Sequence, residues 1–176
     1  ASYDNYHAEQ VIASLQNKKH VFVEKPLCLH REEFNRIVKE IRSNPSLRVS
    51  SNLILRKTPR FEELRDRVLK NKLGETYLIE SSYDYGRIHK ILDGWRGEIP
   101  FYSVTHGGGI HLIDLMMWIT GKKIKSVYAR GTNLATKKTK FKYFDCVDSL
   151  LTFEDGLTGN VISNYAAVIP HGHRFV

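Results

Sequence analysis

Two short runs hold the side chains able to move a proton or stabilise charge: Glu24-Lys25-Pro26, and Thr105-His106-Gly107-Gly108-Gly109-Ile110-His111-Leu112-Ile113-Asp114. Lys25 follows His20-Val21-Phe22-Val23, a β-branched and aromatic stretch that reads as a buried strand, and Pro26 has no N–H to continue a ladder. The lysine is therefore expected at the carboxyl end of a strand, the edge of an open α/β sheet where ligands bind. A solvated lysine closing an edge strand is the other reading. In the second run a flexible glycine stretch leads into a helix whose first turn presents His111, with Asp114 following on the same face. A helix amino terminus favours the neutral imidazole, and so a base. A histidine that only caps or packs is the alternative.

The surrounding periodicity says what must position these groups. Ala8, Val11, Ile12 and Leu15 form the stripe of an amphipathic helix, with Asp4 or Asn5 available as its cap. The Lys25 strand comes next, then a second stripe at Phe34, Ile37, Val38 and Ile41, and then a strand from Leu47 to Leu55. Helix, strand, helix, strand is the alternation of a parallel sheet. A third helix begins at Pro59 with Phe61, Leu64, Val68 and Leu69, and closes at Asn71-Lys72-Leu73-Gly74. A strand over Glu75 to Tyr85 follows, with Tyr77, Ile79, Ser81, Tyr83 and Tyr85 on one face, and residues 86–108 read as irregular. The helix carrying His111 should end before Gly121. Three more strands are expected: Lys125 to Thr132, and a hairpin of Cys146 to Phe153 with Leu157 to Tyr165, turning at Asp155-Gly156. Both faces of that hairpin are partly apolar, so a second subunit is the expected cover for one of them.

The fold class implied is α/β followed by α+β. Residues 1–50 read as the remaining, C-terminal part of a βα-wound dinucleotide-binding domain, and residues 51–176 as a substrate and oligomerisation domain built on a large, mostly antiparallel open sheet. No G-x-G-x-x-G turn is present to hold a pyrophosphate, so the earlier strands are expected upstream of Ala1, and this chain alone should hold a nucleotide poorly. His171 to Val176 carries no closing signal, so truncation is expected there as well.

Composition narrows the class. Among 176 residues, 41% are apolar and 26% charged, as in a globular protein, and no apolar run reaches the roughly 20 residues that span a bilayer. No signal peptide is evident, and the cytosol is the expected compartment. Cys28 and Cys146 lack the spacing of a zinc site or a disulfide framework, so no metal is expected. The net charge of +8 raises the question of nucleic acid, but the basic residues are scattered. Lys137-Lys138-Thr139-Lys140, with Lys142 behind, reads as a solvated loop, and an anionic small molecule is a better use of the excess than nucleic acid.

The order of these motifs resembles the Gfo/Idh/MocA family, the glucose-fructose oxidoreductase and inositol dehydrogenase group. It is carried by His7-Ala8-Glu9-Gln10, by His20-Val21-Phe22-Val23-Glu24-Lys25-Pro26, by Asn52, Arg56, Pro59 and Phe61, by Trp95-Arg96 and by Gly109-Ile110-His111-Leu112-Ile113-Asp114. The resemblance implies a Rossmann domain followed by an open-sheet domain, oligomers packed through that sheet, and NAD- or NADP-dependent hydride transfer at a sugar, polyol or nucleotide-sugar carbinol. It implies that Lys25 faces both the nicotinamide and the reacting hydroxyl, that His111 is the acid or base, and that Ser2, Asp4 and Glu24 line the cofactor. Asn52, Arg56, Trp95, Arg96 and His106 are then expected at the substrate, with Tyr83 and Tyr85 as further contacts; packing or surface roles remain open for Arg56, Arg96 and the tyrosines. The chemistry is consistent: oxidising a carbinol needs a base for the hydroxyl proton and a cation for the developing alkoxide. Desolvation beside a nicotinamide would also lower the lysine pKa.

Two departures stand out. Many members of the family carry Asp four residues before the motif histidine, where this chain has Gly107; His106 or Tyr102 compensates, or the histidine works without that carboxylate. The usual proline and asparagine of the first loop are Tyr3 and Asp4 here. A non-catalytic module, used for sheet-mediated oligomerisation or sugar binding, is the competing reading.

Overall fold

The computed structural model describes residues 2–168 and 173–175, so His171, Gly172 and Val176 of the His171 to Val176 tail lie outside the described residues. The chain divides into two compact units, Ala1–Leu53 and Ile54–Val176.

In the first unit, α1 (His7–Gln16), β1 (Val21–Val23), α2 (Arg31–Ser43) and β2 (Val49–Ser51) alternate, and the two strands pair in parallel with Val21 opposite Val49. The expected stripe of α1 forms the core: Ala8, Val11, Ile12 and Leu15 are buried together with Ile37 of α2. Phe34 departs from its stripe and is half exposed. The N-cap position of α1 is Tyr6 rather than Asp4 or Asn5. A 3-10 turn at Asp4–Tyr6 leads into the helix instead, and Tyr6 N–H donates to the Tyr3 carbonyl at 3.0 Å. The strand expected from Leu47 to Leu55 contracts to Val49–Ser51, followed by a 3-10 turn at Ile54–Lys57. The reason lies in the backbone donors. Asn52 N–H closes the ladder on the Val23 carbonyl at 2.9 Å, and Leu53 N–H turns back to Ser51 at 2.9 Å.

The second unit comprises α3 (Pro59–Leu69), β3 (Leu78–Tyr85), α4 (His89–Leu92), α5 (Ile110–Thr120), β4 (Ile124–Thr132), β5 (Cys146–Phe153), β6 (Thr158–Asn164) and β7 (His173–Phe175). Pro59 opens α3 at its first turn, and Gly121 ends α5 in the left-handed region at φ 69°. The five strands form one sheet in the order β4-β5-β6-β3-β7. Three of its pairings are antiparallel, and β3 runs parallel to β6 from Leu78 opposite Thr158 to Asp84 opposite Asn164. The expected hairpin turns at Asp155-Gly156, with Gly156 at φ 93°. β3 begins three residues later than Glu75, leaving Tyr77 on the surface.

The inner face of the sheet carries Tyr83, Tyr85, Leu151, Phe153, Val161 and Tyr165, which pack with Leu112, Leu115, Met116 and Ile119 of α5. The outer face is mixed: Tyr128 and Leu150 lie opposite each other and exposed, among Arg130, Asp148 and Asn160. Residues 86–108, expected to be irregular, contain α4, a 3-10 turn at Trp95–Gly97 and the beginning of a helical turn at Thr105–Gly109. Both cysteines are free thiols, and burial pushes each up in pKa.

A buried carboxylate organises the basic loop between β4 and β5. Asp145, 1% exposed, accepts from the Thr136 N–H at 2.8 Å and the Thr136 hydroxyl at 2.9 Å, while its own N–H donates to the Thr132 carbonyl at 2.9 Å. Asp145→Ala leaves both Thr136 donors buried without an acceptor. It is expected to lower unfolding stability by about 2 kcal/mol in urea denaturation, and an unchanged midpoint and slope would mean the loop is held by other contacts.

Candidate active site

The first unit presents Lys25 two residues after the end of β1, at a bend that leads into Pro26. Pro26 is buried, joined to Lys25 by a cis peptide, and its carbonyl accepts from His7 Nδ1 at 2.8 Å. A carbonyl can only accept, so His7 carries its proton on Nδ1. The neighbouring Glu24 carboxylate accepts from Asn52 Nδ2 at 2.6 Å. The carboxyl ends of β1 and β2 are therefore tied by main chain and side chain at once. Ser2 donates its hydroxyl to Gln10 Oε1 at 2.7 Å, and Asp4 lies in the 3-10 turn before α1.

His7 is the residue that sequence reasoning left without a role. Its signal was present: a histidine opening a helix just before the lysine strand, 19 residues from Pro26.

The second unit presents His111, 7% exposed, on α5. The glycine stretch before it is not a flexible lead. Thr105–Gly109 forms a π-helical turn continuous with α5, and Gly107, Gly108 and Gly109 are buried. His111 thus stands more than one turn inside a helical segment, and the expectation of an imidazole at a free helix amino terminus is corrected. The glycines are required by contact with the sheet. A methyl group added at Gly108 would enter the Tyr83 ring, one at Gly109 would meet the Ser163 hydroxyl, and one at Gly107 would meet the hydroxyls of Tyr102 and Tyr165. Those two hydroxyls hydrogen-bond to each other at 2.8 Å, and both tyrosines are 2% exposed. Burial pushes the Tyr165 phenol far up in pKa, with the neighbouring Tyr102 adding to the effect, and burial likewise raises Tyr83. The Tyr83 and Tyr165 hydroxyls therefore stay protonated.

Asp114, expected on the face of His111, is engaged by Arg56: Nε donates to Oδ2 at 2.8 Å and Nη2 to Oδ1 at 2.5 Å. This bidentate pair joins the 3-10 turn at Ile54–Lys57 to α5, and the hydrogen bonds to Asp114 raise the Arg56 pKa. Trp95 meets Tyr102 edge-on at 6.4 Å between ring centroids, and the Arg96 guanidinium lies 4.5 Å from the Trp95 ring centroid. Tyr83, Tyr85 and Tyr165 form one ring cluster, with Tyr85 and Tyr165 4.8 Å apart. His106 packs edge-on against Phe101 at 6.1 Å. A larger groove of about 500 Å³ between α3, α5 and β3 is walled by Phe61, Leu64, Leu112, Leu115 and Met116. Its lining also includes Arg60, Glu63, Arg67 and Glu80, but neither His111 nor any other of the expected site residues.

Of the expected site residues, the structure pairs Glu24 with Asn52, Trp95 with Arg96, and Arg56 with Asp114. Lys25 belongs to the first unit and His111 to the second. Among the described residues no group of His, Cys, Asp and Glu could hold a metal ion. The first unit offers two parallel strand ends with polar groups suited to the nicotinamide end of a dinucleotide; its sequence has no glycine-rich turn for the pyrophosphate.

Comparison with known proteins bears on both units. Residues 1–52 match the model of the oxidoreductase family, NAD-binding Rossmann fold, and residues 61–176 match the GFO/IDH/MocA C-terminal domain. The chain is 27% identical over 180 aligned positions to a myo-inositol 2-dehydrogenase of Thermotoga maritima, covering 98% of this chain and 51% of that protein. It is 24% identical over 176 positions to an NAD(+) scyllo-inositol 2-dehydrogenase of Bacillus subtilis, covering 95% and 47%. The crystal structure of scyllo-inositol dehydrogenase from Lactobacillus casei with bound NAD(H) and scyllo-inositol superposes with a TM-score of 0.83 at 23% identity, over 99% of this chain and 52% of that one. The chain thus spans about half the length of the curated relatives it matches.

The tight seat of the glycine run can be tested by adding one methyl group. Gly108→Ala is expected to lower stability by about 2 kcal/mol, overpacking outweighing the gain in helix propensity of about 1 kcal/mol. Urea denaturation measures it. A stability equal to or above that of the parent would show that the helical turn can lift from the Tyr83 ring at no cost.

Proposed function

The chain belongs to the GFO/IDH/MocA oxidoreductase family, and from that premise we propose that it contributes the catalytic end of an NAD(P)-dependent dehydrogenase acting on a carbinol carbon of a polyol or sugar. The observation that carries this reading is that each unit holds one candidate group on a firmly anchored element. Lys25 is delivered at a strand end locked by His7, Glu24 and Asn52, and His111 sits on a helix seated through glycines on the sheet. When bound, the nicotinamide supplies the acceptor for the hydride.

The chain's own residues handle the proton and the charge. His111 takes the hydroxyl proton on a ring nitrogen, and the Lys25 ammonium stabilises the oxygen as negative charge develops on it. Glu24, held by Asn52, supports the lysine and the nicotinamide end, with Ser2 and Asp4 lining the same side. Arg56 is a positioning residue in this scheme, since its carboxylate partner Asp114 lies one turn beyond His111. Of the two candidates for the carboxylate missing at 107, Tyr102 is the better supported, because its hydroxyl, paired with Tyr165, fills the space a side chain there would take. Trp95, Arg96 and His106 line the substrate side.

The outer sheet face, with Tyr128 and Leu150 exposed at its centre, is proposed as the contact with a second copy of the chain. The free thiols fit a reducing compartment, and the cytosol is the proposed location. None of the described helices is long and apolar enough to cross a membrane.

In a chain of the length its relatives have, Lys25→Ala or His111→Ala is expected to lower kcat for polyol oxidation by about 100-fold or more. The His111 variant should also flatten the acid limb of the pH–rate profile, because its base is gone. A rate near that of the parent in either variant removes that residue from the mechanism.

A further inference from the structure

A second, smaller cavity opens in the larger unit beside the motif helix. Its volume is about 290 Å³, and its walls include Phe101, Ser103, Tyr143, Phe144 and Val147, with Lys142 contributing to the lining. It shares Tyr102 with the candidate site, and Phe101 touches His106 across the wall. The rings are held rather than loose. Phe101 and Tyr143 meet edge-on at 5.5 Å, Phe141 and Tyr143 meet edge-on at 5.7 Å, and the Tyr143 hydroxyl donates to the Pro100 carbonyl. Phe144 is 53% exposed, yet its ring lies against Gly131, where a methyl group would collide with it.

An exposed ring fixed in this way loses little entropy when it stacks on a ligand, and the cavity has room for about one six-membered ring. Lys142 is exposed and forms no ion pair among the described residues, in a chain of net charge +8. The basic loop that carries it is anchored at the buried Thr136–Asp145 pair.

We infer that this cavity binds a ring bearing a phosphate group, the ring packed against Phe101, Tyr143 and Phe144 and the phosphate paired with Lys142. The inference rests on the dehydrogenase reading for its meaning, because it makes the substrate a phosphorylated or nucleotide-linked sugar whose phosphate-bearing part lies beside the reacting ring. It does not rest on that reading for its test. A sugar phosphate and a nucleoside phosphate share the required chemistry, and the probes separate them.

Glucose 6-phosphate, uridine 5′-monophosphate, glucose, uridine and inorganic phosphate are each titrated into the chain, with the Val147 methyl and Phe144 amide resonances followed by NMR. One or both ring phosphates are expected to bind and shift these signals, about tenfold more tightly than the matching ring without phosphate, as for one hydrogen bond to a charged group. The tighter of the two identifies the source. Lys142→Gln, at an exposed position that leaves the walls intact, is expected to remove that tenfold preference. The inference fails if neither ring phosphate shifts the signals below about 10 mM. It also fails if inorganic phosphate binds as tightly as the ring phosphates, or if Lys142→Gln leaves the preference in place. Loss of the Lys25 and His111 effects on turnover would remove the dehydrogenase reading without altering any of these shifts.

Discussion

Steric contact between the backbone at Gly107–Gly109 and the inner face of the sheet is the constraint on which the larger unit depends. Tyr83 from β3, Ser163 from β6 and Tyr165 just beyond it occupy the volume where three Cβ atoms would otherwise lie. The helical segment can approach that closely only without side chains, and its π-helical turn sets the register in which α5 presents His111. Arg56 closes the arrangement from the other side by gripping Asp114. The fit has a cost: the Ser163 hydroxyl is wholly buried and finds no hydrogen-bond partner. A penalty of about 1–3 kcal/mol for that group is tolerable because the same contact buries the ring layer beneath the glycines.

The smaller unit holds Lys25 by a different means. Around Lys25 the contacts are directional and polar: His7 to the Pro26 carbonyl, Asn52 to Glu24, and the Asn52 N–H to Val23. Two strands of three residues bury too little surface to define a strand end by packing alone. Hydrogen bonds across the ends supply the definition that area does not. One group is placed by excluded volume and the other by pairing, so substitutions at the two places have different characters. Overpacking is felt at the glycines, and unpaired polar atoms are felt beside the lysine.

This division also explains what could be read from the sequence. The stripe of α1, the stop at Gly121, the Asp155-Gly156 hairpin and a strand ending just before Lys25 are local signals within a turn or two of the residues that produce them, and the structure contains all of them. Three of the features that set the site are not local. The Arg56–Asp114 pair spans 58 residues, the Tyr102–Tyr165 hydroxyl pair spans 63, and β3 beside β6 is a pairing that periodicity cannot specify. The glycine run was misread for the same reason. Glycine is called for equally by mobility and by close approach, and only the neighbour across the gap decides between them. The strand expected over Leu47 to Leu55 ran long because an apolar β-rich run does not reveal that the Asn52 and Leu53 donors turn back on Val23 and Ser51.

The choice at position 107 is coupled to the two tyrosines far from it in sequence. A carboxylate there and the hydroxyl pair would need the same space, so the chain can have one or the other. A carboxylate would place a charge among Tyr102, Tyr165 and the Tyr83 ring, where desolvation costs several kcal/mol unless a cation pairs with it. The paired phenols avoid that cost: their hydroxyls share one hydrogen bond, and burial keeps the Tyr165 phenol neutral. They offer the neighbouring helix polar atoms without a fixed charge. Glycine at 107 is thus the counterpart of the paired hydroxyls that Tyr102 and Tyr165 bring against the motif helix.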